Sequence, residues 1–122
     1  MVFTNIGRER MAYNLGSNIN NYISYFNVGT GSGTALVTND ELITEWSRFE
    51  QTGNPNFDTR KVTFTGDLGT LGASGLTLME FGLIVSGPAL TGSNWLREAV
   101  GSIVFDGTNE LKIEAAIEIL TG

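Results

Sequence analysis

The sequence has no histidine and no cysteine, and of its 122 residues only 2 are proline. Without cysteine there are no disulfides, no thiolate nucleophile and no zinc–thiolate site. Without histidine the chain lacks the side chain that normally titrates near neutrality, so histidine-based triads and histidine-ligated metals are excluded as well. Charged residues make up 16 % of the chain, below the ~25 % usual in globular domains. The balance of 7 Lys and Arg against 13 Asp and Glu gives a formal charge of -6. The cations are scattered, and affinity for a phosphate backbone depends on Lys and Arg displacing counterions, so no nucleic-acid partner is expected. The apolar runs are too short for a helix spanning a membrane, and nothing reads as a secretory signal, so a soluble protein without a membrane partner is expected.

What the chain does have is glycine, 16 residues of it, with abundant Thr and Asn, in a length suited to one domain, residues 1–122. Residues 1–16 read as a helical N-terminal segment, with Thr4 or Asn5 as cap, Met11, Ala12 and Leu15 as apolar positions, Gly7 as a flaw and Gly16 as the stop. Tyr22 to Val28 is dense in aromatic and β-branched residues and reads as a strand, followed by a glycine-rich loop from Gly29 to Thr34. Thr38-Asn39-Asp40-Glu41 has the spacing of a capping box and predicts one or two helical turns through Trp46. Gly53 to Asn56 reads as a turn. Further strands are expected over Lys61–Thr65, Leu76–Val85 and Trp95–Phe105, the last bent at Gly101, with a glycine-rich loop from Gly66 to Gly75 and a hairpin turn at Asp106–Asn109. The final segment alternates without a break. Leu111, Ile113, Ala115, Ile117 and Ile119 share one face, and Lys112, Glu114, Ala116 and Glu118 share the other, the period of a strand buried on one side. Strands joined by short turns, with no βαβ unit, predict a mainly β fold: an antiparallel β-sandwich or barrel with a short N-terminal helix.

Several groups of residues invite a chemical reading. Gly29-Thr30-Gly31-Ser32-Gly33 lies where dinucleotide and phosphate loops occur, yet position 34 is Thr34 where the fingerprint needs glycine, and no Lys follows as a P-loop requires. Asp40, Glu41, Glu45 and Glu50 are the densest carboxylates, and a pair of them could in principle act as a glycosidase acid and base. Charge complementing a helix N-terminus explains the first three without catalysis. Asp106, Asn109 and Glu110 lack the spacing of a calcium loop. Neither catalytic residues, metal nor cofactor is therefore expected. Trp46, Trp95, Tyr13, Tyr22 and Tyr25 could form a sugar-stacking platform, although aromatics spread over several elements more often fill a core. Glu80, between Met79 and Phe81 in an apolar run, would be costly if buried alone, and Arg97 in the following strand is its candidate cross-strand partner.

The order of motifs carries more than any one of them. Thr4-Asn5-Ile6-Gly7 opens the chain, Tyr22-Ile23 leads into Val28-Gly29-Thr30-Gly31, and Leu42, Glu45 and Arg48 follow at three-residue steps. Glu80-Phe81-Gly82-Leu83 and a last strand with Leu111, Ile113, Ile117 and Ile119 complete the series. This series resembles the small virion structural proteins of tailed bacteriophages, over most of the chain, although the proline-containing insertion common after Gly31 in that family is missing here. The resemblance implies a non-enzymatic particle component located on the virion and assembled in the host cytoplasm. Chain length, the opening at Met1 and the lack of fibre-like repeats favour a capsid decoration or cement protein. The alternatives are a tail, baseplate or fibre accessory protein and a carbohydrate-binding module. The implied partners are the major capsid protein or tail proteins and further copies of the chain, a trimer being favoured. The candidate interface comprises Val2, Phe3, Thr4 and Asn5 together with Gly29, Thr30, Gly31, Ser32, Gly33 and Thr34.

Overall fold

The computed structural model describes residues 2–16, 23–69, 75–85, 93–106, 108 and 110–120. The elements in chain order are β1 (Val2–Phe3), α1 (Asn5–Gly16), β2 (Tyr25–Gly29), β3 (Glu45–Glu50), β4 (Asn56–Asp58), β5 (Lys61–Gly69), β6 (Thr77–Ile84), β7 (Asn94–Val104) and β8 (Leu111–Glu118). The fold is mainly β with one short helix. Its strands form a five-stranded sheet, ordered β1-β7-β6-β2-β3, and a three-stranded sheet, ordered β4-β5-β8. All pairings among the described residues are antiparallel.

Register explains how the large sheet comes to have two unlike faces. Phe49, Phe26, Leu83, Leu96 and Phe3 lie opposite one another, one per strand, in an apolar row across all five strands. The adjacent row, Arg48, Asn27, Gly82, Arg97 and Val2, points to the other side because successive side chains alternate. The apolar face meets the small sheet. Phe26 and Leu83 pack there in one cluster with Phe64 of β5 and Leu111, Ile113 and Ala115 of β8, and each fully buried Leu or Phe contributes roughly 1.5–3 kcal/mol. Phe26 and Phe49 stack with ring centroids 5.5 Å apart. They seat directly on the β5 backbone at Gly66, where a Cβ would lie 2.6 Å from ring carbons of both.

Some sequence expectations change in the structure. The N-terminal segment is helical only from Asn5, since Val2–Phe3 forms an edge strand on β7. Thr4 is the helix cap: its Oγ1 accepts the Gly7 amide at 3.1 Å and donates to Asn94 O at 2.6 Å. The helical turns expected from Thr38 to Trp46 are absent; that stretch is turn and bend until β3 begins at Glu45. Gly66 and Gly69 belong to β5 rather than to a loop. Asp106 to Asn109 closes no hairpin, because β7 pairs with β6 and β8 with β5, so this turn carries the chain from one sheet to the other. Gly107 and Asn109 themselves, like Tyr22, lie outside the described residues. The β8 alternation holds from Leu111 to Ala115, but Ile119 lies past the end of the strand and is exposed. Where a bend is expected in β7 the register is irregular: Leu78 pairs with Ile103 and Glu80 with Ala99, leaving extra residues around Gly101 on the β7 side, the pattern of a bulge.

Gly7 is a requirement rather than a flaw. A Cβ there would lie 2.5 Å from the Trp95 carbonyl oxygen, so the helix rests on the β7 backbone. Replacing a mid-helix glycine by alanine ordinarily stabilises by up to ~1 kcal/mol. Gly7→Ala is expected to destabilise by about 1–3 kcal/mol in urea unfolding, since backbone must move to admit the methyl group. A stabilised variant would show that the helix does not rest there.

Candidate functional site

The face of the large sheet turned away from the small one is polar and yet buried. Thr4, Asn27, Glu80, Asn94 and Arg97 are all at 0–1 % exposure. Space for this layer comes from glycines, which let polar groups approach the backbone. Gly82 lies between Asn27 and Arg97 in the row, and a Cβ at that position would run into the Asn94 amide and lie 2.8 Å from Asn27 Oδ1. A Cβ on Gly31 would strike the Glu80 carboxylate.

Glu80 and Arg97 form the centre of the layer, with Arg97 Nε 3.1 Å from Glu80 Oε1 and both side chains wholly buried. The carboxylate accepts three further hydrogen bonds, all from backbone amides. Ile43 N donates to Oε1 at 2.8 Å, and Gly31 N and Thr44 N donate to Oε2, each at 2.8 Å. Arg97 Nη1 donates to Thr34 O at 3.2 Å and to Asn39 Oδ1 at 3.1 Å, and Gly33 O lies 3.4 Å from both Nη1 and Nη2. Among the described residues every partner except the ion pair itself belongs to residues 31–44. Two opposite charges on β6 and β7 thus hold the segment between β2 and β3 flat on the sheet.

Other contacts fix the same segment along its length. Thr30 N donates to Thr44 O at 3.0 Å and closes its base, Asn94 N donates to Asp40 O, and Asn5 N donates to Val37 O, the last two at 2.7 Å. Asn39 Oδ1 also accepts the Leu36 amide at 2.8 Å. Beside the ion pair, Asn27 and Asn94 exchange amide hydrogen bonds at 2.9 and 2.8 Å. Asn27 Nδ2 reaches Glu45 Oε1 at 2.7 Å, and that oxygen also pairs with Arg48 at 2.8 Å.

The segment held in this way displays apolar side chains outward. Leu36 and Ile43 are 54 % and 53 % exposed, and Val37 is exposed with them, next to the start of α1. An exposed apolar group on a loop clamped by buried charge suits contact with another protein surface: little conformational freedom remains to be lost on binding.

The structure divides the residues proposed from sequence. Thr4, Gly29 and Gly31 are buried and hold the fold, so they present no contact surface. Val2, Phe3 and Thr30 are half-buried, Phe3 packing against the core. Asn5, Ser32, Gly33 and Thr34 are exposed, with the Gly33 and Thr34 carbonyls turned to Arg97. Leu36, Val37 and Ile43 carry no sequence signal of their own, since Leu42 in the same stretch is buried. Trp95 is buried in the core cluster, which removes it from any sugar platform; Trp46 on β3 and Tyr13 on α1 are exposed. Asp40 and Glu41 are exposed on turns, while Glu50 accepts the Tyr25 hydroxyl at 3.1 Å. That hydrogen bond and the Glu50 charge raise the Tyr25 pKa above its ordinary value of 10.0. Among the described residues no group of three or more Asp or Glu is placed to hold a metal ion, and no helix is long and apolar enough to cross a membrane.

The clamp predicts strong coupling. Glu80→Ala and Arg97→Ala each strand a buried charge, and each is expected to cost about 3–5 kcal/mol in urea unfolding. The double variant is expected to cost clearly less than the sum of the two, with faster amide hydrogen exchange at Gly31, Ile43 and Thr44. Additive losses would mean that the two groups stabilise the fold independently.

No protein-family model, no curated protein and no solved structure matches the chain.

Proposed function

We propose that the chain is a non-enzymatic structural protein of a tailed-bacteriophage virion, of the capsid decoration or cement type. It binds by its folded surface to the major capsid protein, and several copies act together on one particle. The observation that carries this reading is the clamped segment from Thr30 to Thr44, which offers Leu36, Val37 and Ile43 on a base that cannot shift easily. The motifs behind the family resemblance support it further. Glu80 forms the clamp and Gly31 makes room for it, Gly82 makes room for the Asn27–Asn94 pair beside it, and Glu45 and Arg48 extend the polar layer.

Adhesion of this kind asks little of one copy. A few kcal/mol per contact suffices when the lattice repeats the contact many times over. A small apolar patch at the centre of an interface commonly carries most of such a contact. The contact face in this reading is Leu36, Val37 and Ile43 with the exposed Asn5 and Ser32, replacing the buried glycines and Thr4. The exposed Trp46 favours a second reading, a sugar-binding module at a tail tip, for which glycan binding abolished by Trp46→Ala is the expected result.

Two measurements test the first reading. Quantitative mass spectrometry of purified particles is expected to find the chain in hundreds of copies per particle. A handful of copies would move it to the tail tip, and absence from particles would overturn the assignment. The double variant Leu36→Asp with Ile43→Asp is expected to lower occupancy by about tenfold or more. Both positions are exposed, so the stability of the free protein is expected to change by no more than ~0.5 kcal/mol per substitution.

A further inference from the structure

β8 is the outermost strand of the small sheet, and among the described residues nothing pairs with its free edge. It is eight residues long and carries neither proline nor an inward-pointing charge, and its charged side chains, Lys112, Glu114 and Glu118, all lie on the outer face. Its apolar face is covered unevenly. Leu111, Ile113 and Ala115 are buried, Ile117 is half-buried, and Ile119 just beyond the strand is 73 % exposed. At the covered end lies a cleft of about 210 Å³, lined by Leu111 to Glu114 of β8, by Val100 and Ile103 of β7, and by residues of β2 and β6. One end of the strand thus has an apolar cleft, and the other end has the half-buried Ile117 and the exposed Ile119.

We propose that two copies of the chain pair through their β8 edges, antiparallel, about a twofold axis at Ala115. A twofold contact is self-complementary, so each residue meets the one equally far on the other side of the axis. Ile113 then faces Ile117 of the second copy, and Leu111 faces Ile119, which enters the cleft. On the outer face Glu114 meets Ala116, and Lys112 meets Glu118. Within one chain Lys112 is already opposite Asp67 and Glu118 opposite Lys61. Across the joined sheets the sequence becomes Asp67, Lys112, Glu118, Lys61, with the sign alternating at each strand. Cross-strand pairs of opposite charge are favourable and like charges directly opposite are not.

Neighbouring registers fail on the same criterion. A slip of two residues one way sets Glu114 against Glu114, and the other way sets Glu114 against Glu118. A slip of an odd number turns the apolar face of one strand onto the polar face of the other. The pairing makes a six-stranded sheet and a closed dimer, in place of the trimer expected from sequence, and it stands whether or not the chain is part of a particle.

The test is sedimentation velocity on the full chain over a concentration series reaching the upper micromolar range. Wild-type protein is expected to dimerise. Lys112→Glu and Glu118→Lys, both at exposed positions, each create two like-charge pairs across the contact and are expected to weaken the dimer by roughly tenfold or more. Mixing the two folded variants is expected to restore it, because Glu at 112 of one then meets Lys at 118 of the other, and the remaining Glu118 meets the remaining Lys112. Ile119→Asp is expected to weaken the dimer as well, without loss of folded circular dichroism. A monomer at every concentration, single variants as tight as wild type, or a mixture no tighter than its components would each overturn the proposal.

Discussion

A carboxylate and a guanidinium buried side by side in the middle of a β-sheet dictate much of what surrounds them. Neither charge tolerates removal from water unless its remaining hydrogen-bonding capacity is filled. Strands supply little for that purpose, since their own amides and carbonyls are committed to the ladder. Glu80 therefore draws the amides of Gly31, Ile43 and Thr44 from outside the sheet, and Arg97 draws the oxygens of Gly33, Thr34 and Asn39. The segment between β2 and β3 has the shape it has because these groups must converge on two points. Its glycine at position 31 follows from the same demand, as the space a side chain would fill is taken by the carboxylate.

A loop built in this manner differs in kind from one stiffened by its own turns. Its order depends on the sheet beneath it, since several of its backbone amides and carbonyls are taken up on the inner side while apolar side chains lie on the outer one. That division accounts for how Leu36, Val37 and Ile43 remain exposed without loosening the segment. It also separates two features of the face: buried charge sets the shape, and aliphatic side chains form the exposed outer surface.

How much of this was legible in the sequence depended on the range of the interaction. The β8 strand was readable because alternation is a property of adjacent residues. The Thr4 cap lies three residues from the amide it binds. The Glu80–Arg97 pair could be named because a lone acid in an apolar run demands a partner and one cation lay in the next strand. The stretch after Thr38 misled because a capping-box spacing is local evidence, whereas the amides of Ile43 and Thr44 are taken by a carboxylate 37 and 36 residues away. The turn at Asp106 misled for a related reason: turn chemistry marks a reversal but carries no information about which sheet receives the next strand. The exposed aliphatic residues of the loop had no pattern to set them apart from core positions.

The seating of the N-terminal segment bears on the timing of folding. Thr4 and the strand before it bind residues of β7, with Thr4 separated from Asn94 and Trp95 by 90 and 91 positions. On a ribosome this stretch emerges long before the strand that receives it, and pairing across such a span comes late because the intervening chain must first be closed. Until then α1, in which only Gly7 is fully buried and Met11 packs against the core in the finished fold, has little apolar face to hold it to anything. The segment thus reports on completion: a protease site placed within it would be protected only in molecules whose β7 had already found its place.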